Sequence, residues 1–480
     1  MRDTHRVTAD PRRWQALALV CVAFFMTVLD VSIVNVALPS IGRSLHFSQT
    51  GLQWVITAYA ITFGGFLLLG GRAADILGRK RMFLVGVVLF SAASLACGLS
   101  SSAGVLVASR AVQGLGAAIV SPATLSIITT TFEEGAERNK ALGIWGAMGG
   151  SGAAAGVLFG GILTRYLGWE WIFFVNVPVG AIVLALTPRI VRESRAAAAG
   201  TGFDVVGAGS VTGGLALLVY AISKAPVDGW GNARTIELLI GAVALLAFFV
   251  VWETRVPSPI MPLRIFRVRT LAGANIVGIL LGASVFANFF LLTLYVQQVL
   301  HYSALRTGLT FLATAGTVIP VAGLSQALVT RIGVRPVMTI GLALITAGML
   351  WYTQIPVHGS FGSALLPGYL LVGVGMAFSF IPMSIAALAG VEPHEAGLAS
   401  GLINTSQQIG GALGVAIAAT VAFTHMGTLL AAGHSPAQAQ TSGFALGFWV
   451  LAGVSAVAVA ACLALVRGRE LEQTSAAMAV

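Results

Sequence analysis

The stretch "WQALALVCVAFFMTVLDVSIVNVAL", residues 14–38, decides how the chain must be read. It is apolar for longer than the ~20 residues a membrane-crossing helix needs, yet Asp30 stands near its middle. A carboxylate at that depth has to be neutral, paired or in use. Arg2, Arg6, Arg12 and Arg13 precede the run, as charges precede the core of a secretion signal. The run is too long for such a signal and has no small-residue cleavage pattern, so it is expected to be a retained first helix.

Composition extends this reading to the whole chain. Of 480 residues, 57% are hydrophobic and 9% charged, whereas a soluble domain has about a quarter of its residues charged. The expected fold is an all-α polytopic membrane protein. Fourteen spans are predicted, at about 14–38, 52–71, 82–99, 103–129, 140–163, 171–188, 204–222, 236–252, 270–298, 306–329, 336–353, 362–390, 399–422 and 443–466. No loop between them is long enough for an enzyme domain. The net charge of +10 does not point to nucleic acid, because no basic patch is interleaved with aromatic residues. The charge follows sidedness instead. With the N-terminus placed inside, 21 of the 27 Lys and Arg fall in inner segments. Five fall outside (Arg43, Arg165, Lys224, Arg234 and Arg306), and Arg110 lies within a span. That bias predicts cytoplasmic termini and an even number of spans. Cys21, Cys97 and Cys462 lie in predicted spans and suggest neither a disulfide framework nor a metal cluster.

An internal repeat organises the spans. "LHFS" at 45–48 returns as "LHYS" at 300–303, and "TGL" at 50–52 returns at 307–309. Glu134, Glu137, Ala141 and Gly143 return as Glu392, Glu395, Ala399 and Gly401, and Gly114 and Gly116 as Gly373 and Gly375. Each match is short, but the offset stays between 255 and 259. The chain therefore divides into a six-helix half at 1–190, a linker with two inserted helices at 191–262, and a second six-helix half at 263–480. Two repeats around a central pair is a transporter plan, with the substrate site near mid-bilayer where the repeats meet.

Several motifs, in order and in the expected places, resemble the major facilitator superfamily, and within it the fourteen-helix drug:proton antiporters. "GGRAADILGRKRMFLVG" (70–86) is similar to the family's G-x-L-x-D-x-x-G-R-K-x-x-L loop, with Ala73 in place of Leu. Its second-half copy, "LVTRIGVRP" (328–336), keeps Gly333 and has Thr330 where Asp75 would fall. Gly71 and Gly78 permit a tight turn, and Asp75, Arg79 and Lys80 offer a charged latch; the bland alternative is a plain basic loop. "RAVQGLGAAIVSPATLSI" (110–127) resembles the family's fourth-span motif. "GAMGGSGAAAGVLFGG" (146–161) resembles its antiporter motif, without the usual proline. There Gly146, Gly149, Gly152, Gly156 and Gly160 share one helix face, with Gly161 beside them, for close sliding contact or for ordinary packing. "WEWIFFVNVPVG" (169–180), "PLRIFRVR" (262–269) and "GLASGLINTSQQIGGALG" (397–414) also look like this family.

The repeat isolates the charges. Asp30 maps onto Val285, and Arg110 onto Tyr369. The scaffold is duplicated and the ionisable residues are not. An acid whose surroundings change as a cavity opens and closes is a proton site with two affinities. Asp30 with Arg110 is thus the candidate coupling pair; the alternatives are a permanent ion pair, and an Arg110 that snorkels to the surface. The resemblance likewise implies exchange of substrate for protons, with no cofactor and the proton gradient as driving force.

A pocket for lipophiles is apolar, aromatic and sparsely polar. Candidate lining residues are Asn35, Tyr59, Gln113, Trp145, Asn288, Phe289, Tyr369, Asn404, Gln407 and Gln408, the last three equally suited to bonding between helices. Spans nine to fourteen contain no acid, which argues against dicationic substrates. All seven histidines are expected in loops or the tail, and no G-x-x-x-x-G-K-[ST] phosphate loop occurs. The expectation is a monomeric exporter of small lipophilic drugs or natural products in a bacterial inner membrane. Export of lipid-like envelope precursors and uptake of nutrients are the alternatives.

Overall fold

The computed structural model describes residues 12–133, 136–195, 202–389, 391 and 396–466, and within them finds helices and connecting turns without strands. Arg2, Arg6, Arg467, Arg469, Glu134, Glu392, Glu395, His5 and His394 lie outside the described residues. Among the described residues, fourteen helical spans are long and apolar enough to cross a membrane, the sixth counted from Trp171 and the twelfth from Phe361, ahead of the helices that form most of them. In the first half they are α1 (Arg13–Ser44), α2 (Trp54–Leu77), α3 (Arg79–Gly98), α4 (Ala103–Thr131), α5 (Ala136–Tyr166) and α6 (Asn176–Ile190). The inserted pair is α7 (Val205–Asp228) and α8 (Ala233–Glu253). The second half has α9 (Arg269–Leu294), α10 (Ala304–Ile332), α11 (Val334–Tyr352), α12 (Leu366–Leu388), α13 (Ala396–Ala431) and α14 (Pro436–Leu465).

The repeat is visible in local geometry. His46 and His301 both take the left-handed conformation, at φ 53 and φ 54. Two residues on, Ser48 and Ser303 each cap the helix that follows, accepting from the Gly51 and Arg306 amides. A hydroxyl there satisfies one of the amides that a helix start leaves open. At the other end of the bundle, Gly78 (φ 113) and Gly333 (φ 88) make the two equivalent sharp turns, where a side chain would be strained. Helix pairing repeats as well. Helix α1 lies along α5, and α4 along both α2 and α3; eight helices on, α9 lies along α13, and α12 along both α10 and α11.

The halves meet in two places. Near the His46 and His301 turns, Gly308 of α10 abuts the Val157 carbonyl of α5, Gly161 abuts Leu305, and Gln297 donates to the Val36 carbonyl at 2.7 Å. Along a second seam, Thr405 of α13 donates to the Gly64 carbonyl of α2 at 3.2 Å, and Gly401 lies against Leu68. Toward the Gly78 and Gly333 end, nothing among the described residues lies within 4 Å of a Cβ placed on Gly143 or Gly146 of α5, or on Gly316 or Gly323 of α10. The inserted α7 packs over the second seam and touches both halves. Gln53, the residue before α2, donates to Ser223 at 2.6 Å, and Thr420 of α13 donates to the Ile222 carbonyl at 3.4 Å. Helix α8 covers α7 and turns Ile240 and Val243 outward, as a lipid-facing helix does.

Several helices outrun their apolar stretches, because a helix can leave the hydrocarbon layer before it ends. Helix α1 continues through Pro39 to Ser44, and α13 continues to Ala431. The second extension corrects one expectation: His425 lies within α13 rather than in a loop, with Nε2 3.0 Å from Ser442 Oγ.

Candidate functional site

Asp30 and Arg110 come together in the interior of the first half. Arg110 Nη1 donates to Asp30 Oδ2 at 2.5 Å, and the two residues are 0% and 1% exposed. The guanidinium does not snorkel. Its Nε donates to the Val55 carbonyl at 2.9 Å, Nη1 also reaches Gln113 Oε1 at 2.7 Å, and Cζ sits 4.4 Å from the Tyr59 ring centre. Stacking on an aromatic face and a forked donor set are what arginine offers and lysine does not.

The other carboxylate oxygen is held by amides. Asp30 Oδ1 accepts from Gln113 Nε2 at 2.8 Å and from Asn176 Nδ2 at 3.1 Å. Both amides also donate to Ser94 Oγ, at 3.2 and 3.0 Å, and Ser94 passes its own proton to the Phe173 carbonyl at 2.9 Å. Cys97 Sγ lies 3.6 Å from Gln113 Oε1. One carboxylate thus links α1, α3, α4 and α6. Every partner of Asp30 in this network is a donor, which is the complement an ionised, acceptor-only carboxylate requires. Gln113, a candidate lining residue, is placed inside the network and is fully buried. Ser94 and Asn176 are members that the sequence did not single out. Asn176 lies within "WEWIFFVNVPVG", so its intramembrane amide was the available signal.

The glycine face lies against α1, the helix that carries Asp30. A Cβ on Gly149 would stand 3.6 Å from the Phe24 ring, and on Gly152 3.3 Å from the Phe25 carbonyl. On Gly156 it would stand 2.7 Å from the Leu29 carbonyl, and on Gly160 2.7 Å from the Ile33 carbonyl. Contact therefore tightens along the helix from Gly146, which faces open space. Gly161 turns instead toward α10, where the halves meet.

In the 70–86 loop, Arg79 pairs with Asp75 at 3.0 Å. Gly71 lies against Pro122 of α4. Glu193, beyond α6, accepts from the Lys80 and Arg81 amides at 3.1 and 3.2 Å and so caps the start of α3. Lys80 Nζ reaches the Pro188 carbonyl at 3.0 Å, and Gly78 leaves no room for a Cβ beside the Glu193 carboxylate. These contacts tie the loop to the end of α6, within the first half.

The remaining candidates are dispersed. Trp145 stacks on Phe24 with ring centres 4.3 Å apart and donates to Thr124 at 3.2 Å. Phe289 and Tyr369 flank Phe311, at 5.3 and 5.4 Å, in an aromatic cluster of the second half. Asn35, Asn288 and Gln408 each bury a carbonyl oxygen with no hydrogen-bond partner, as Tyr59 does its hydroxyl. Asn404 is exposed and bonds its own helix at Ser400; Gln407 presents its main chain to Gly282 of α9.

The sequence pattern of the Major Facilitator Superfamily matches residues 20–415. The chain is 41% identical to a puromycin resistance protein of Streptomyces alboniger, over 89% of this chain and 86% of that one. It is 39% identical to a cephamycin export protein of Amycolatopsis lactamdurans, over 87% of each. Among solved structures it is similar to a bacterial homologue of the human lysosomal transporter Spinster, inward-facing and unoccupied, with a TM-score of 0.68 at 15% identity over 97% of this chain and 98% of that one. A peptide transporter in complex with sulfate gives 0.67 at 15% identity, over 95% of each. These two likenesses concern the fold. The chain belongs to the major facilitator superfamily; it is a multi-pass membrane transporter and not an enzyme.

Proposed function

We propose that this superfamily member exports small lipophilic antibiotics or natural products across a bacterial inner membrane in exchange for protons. The observation that carries the coupling is the buried Asp30 network, satisfied by donors only. Once Asp30 takes a proton, its new O–H needs an acceptor, and a partner among Arg110, Gln113 and Asn176 must turn away. Protonation thereby loosens α1 from α3, α4 and α6. Because α1 also carries the glycine contact with α5, the change reaches the place where α5 meets α10 between the halves. With the termini cytoplasmic, the contacts near His46 and His301 close the outer side, and the open glycines of α5 and α10 face the cytoplasm. Substrate enters there, among the aromatic residues and the unpartnered amides of Asn35, Asn288 and Gln408. The loop at Asp75, Gly78 and Arg79 latches the inner side in the opposite state. The likeness to a puromycin resistance protein and to a cephamycin export protein supports the substrate class. The protein works as a monomer without a cofactor, on the proton gradient alone.

A ligand screen in proteoliposomes tests this. Lipophilic antibiotics added on the cytoplasmic face should drive proton movement the other way, abolished by a protonophore. Antibiotic movement indifferent to any proton gradient would refute it.

A further inference from the structure

Outside the Asp30 network, the described residues bury two more acids, and they face each other. Asp204 caps α7: its Oδ1 accepts from the Gly207 amide at 2.7 Å and from Trp252 Nε1 at 2.8 Å. Glu253 ends α8, and its Oε2 accepts from the Met261 amide at 2.8 Å. Each residue is 4% exposed. That leaves Asp204 Oδ2 and Glu253 Oε1 buried with no hydrogen-bond partner. Both point into the same small space, since a Cβ on Gly207 would collide with each of them. Among the described residues, Asp204 and the main-chain amides of Ile260 and Met261 bear on Glu253. Arg255, two residues beyond Glu253, is exposed.

Two ionised carboxylates cannot hold this arrangement cheaply. Each would keep a dry, unpartnered oxygen, and like charges would sit side by side. A single proton resolves both defects, turning one oxygen into a donor and the other into its acceptor. We infer that Asp204 and Glu253 form a second proton-binding site, an acid–carboxylate pair that clasps the two ends of the inserted helix hairpin. Its position gives it a consequence. Asp204 ends the connection arriving from α6, and Glu253 with Met261 begins the connection leaving for α9. The clasp therefore joins the links to the two halves, and loss of its proton sets two negative charges against each other and opens it. The inference stands independently of Asp30.

Infrared pH-difference spectra of the purified full chain test it. The expected result is a protonated-carboxyl C=O band that titrates as one proton in the wild type and persists in Asp30→Asn. It should vanish in Asp204→Asn and in Glu253→Gln. Both substitutions preserve shape and leave an amide donor facing the remaining carboxylate, so folding is retained. Exchange of the Met261 amide, corrected for its intrinsic rate, should speed up with rising pH in the wild type and stay flat in Glu253→Gln. A wild type without such a band, or a band that survives both substitutions, overturns the inference. So do carboxylate bands that shift with Na+ or K+ at constant pH, which would make the space a cation site. Loss of coupling in Asp30→Asn with this band intact leaves the clasp standing.

Discussion

Replacing Gly156 by Ala puts a methyl group into the tightest part of the α1–α5 contact. The new Cβ would stand 2.6 Å from Ser32 Oγ and 2.7 Å from the Leu29 carbonyl. The hydroxyl can rotate; the main-chain carbonyl cannot. Helix α1 must therefore back away by several tenths of an ångström. Overpacking of this kind costs about 1–3 kcal/mol. The displaced segment includes Asp30, which lies between Leu29 and Ser32, so the shift is felt at the Arg110 pair as well. The geometry also grades the neighbours. Gly146→Ala meets open space and should be silent, Gly149→Ala meets the Phe24 ring at 3.6 Å and should be nearly so, and Gly160→Ala should resemble Gly156→Ala. Thermal unfolding in detergent together with antibiotic efflux from cells, across the four variants at matched expression, measures this. A flat series, or Gly146→Ala as damaging as Gly156→Ala, would refute the account of this face as a fitted contact.

Other substitutions probe the remaining contacts. Gly78→Ala forces a side chain onto φ 113 and against the Glu193 carboxylate; strain of this kind costs about 1–3 kcal/mol, read as a lower melting temperature. Glu193→Gln turns one of the two accepting oxygens into an NH2 group, so it loses the Lys80 or the Arg81 bond along with the charge and should cost about 0.5–1.5 kcal/mol in the same measurement. Arg110→Lys keeps the charge but not the reach to both Val55 and Asp30, so it should destabilise by about 1–3 kcal/mol and fail to restore transport. Ser223→Ala removes the buried acceptor of Gln53 between α2 and α7, at about 1–3 kcal/mol in melting experiments.

What the sequence made legible follows from the physics of each signal. Bilayer thickness fixes a minimum apolar length, so fourteen spans could be read from hydropathy. The duplicated turns could be read because a left-handed His followed by a capping Ser leaves the same letters, as at 45–48 and 300–303. Asp30 and Arg110 stood out because charge is rare at that depth. Ser94 and Asn176 did not, since a serine or an amide in a membrane helix has the same letter whether it bonds its own backbone or completes a network. The role of Glu193 was equally hidden: nothing in a loop acid reveals that it will cap a helix more than a hundred residues earlier. The end of α13 was misjudged because polar residues such as Thr424 and His425 end an apolar run without ending a helix.

Proton movement in vesicles holding wild type or Asp30→Asn tests the central claim most directly. The account predicts that antibiotic added to wild type drives counterflow of protons, whereas Asp30→Asn, folded and still binding the antibiotic, drives none. Counterflow in Asp30→Asn at the wild-type rate would contradict it.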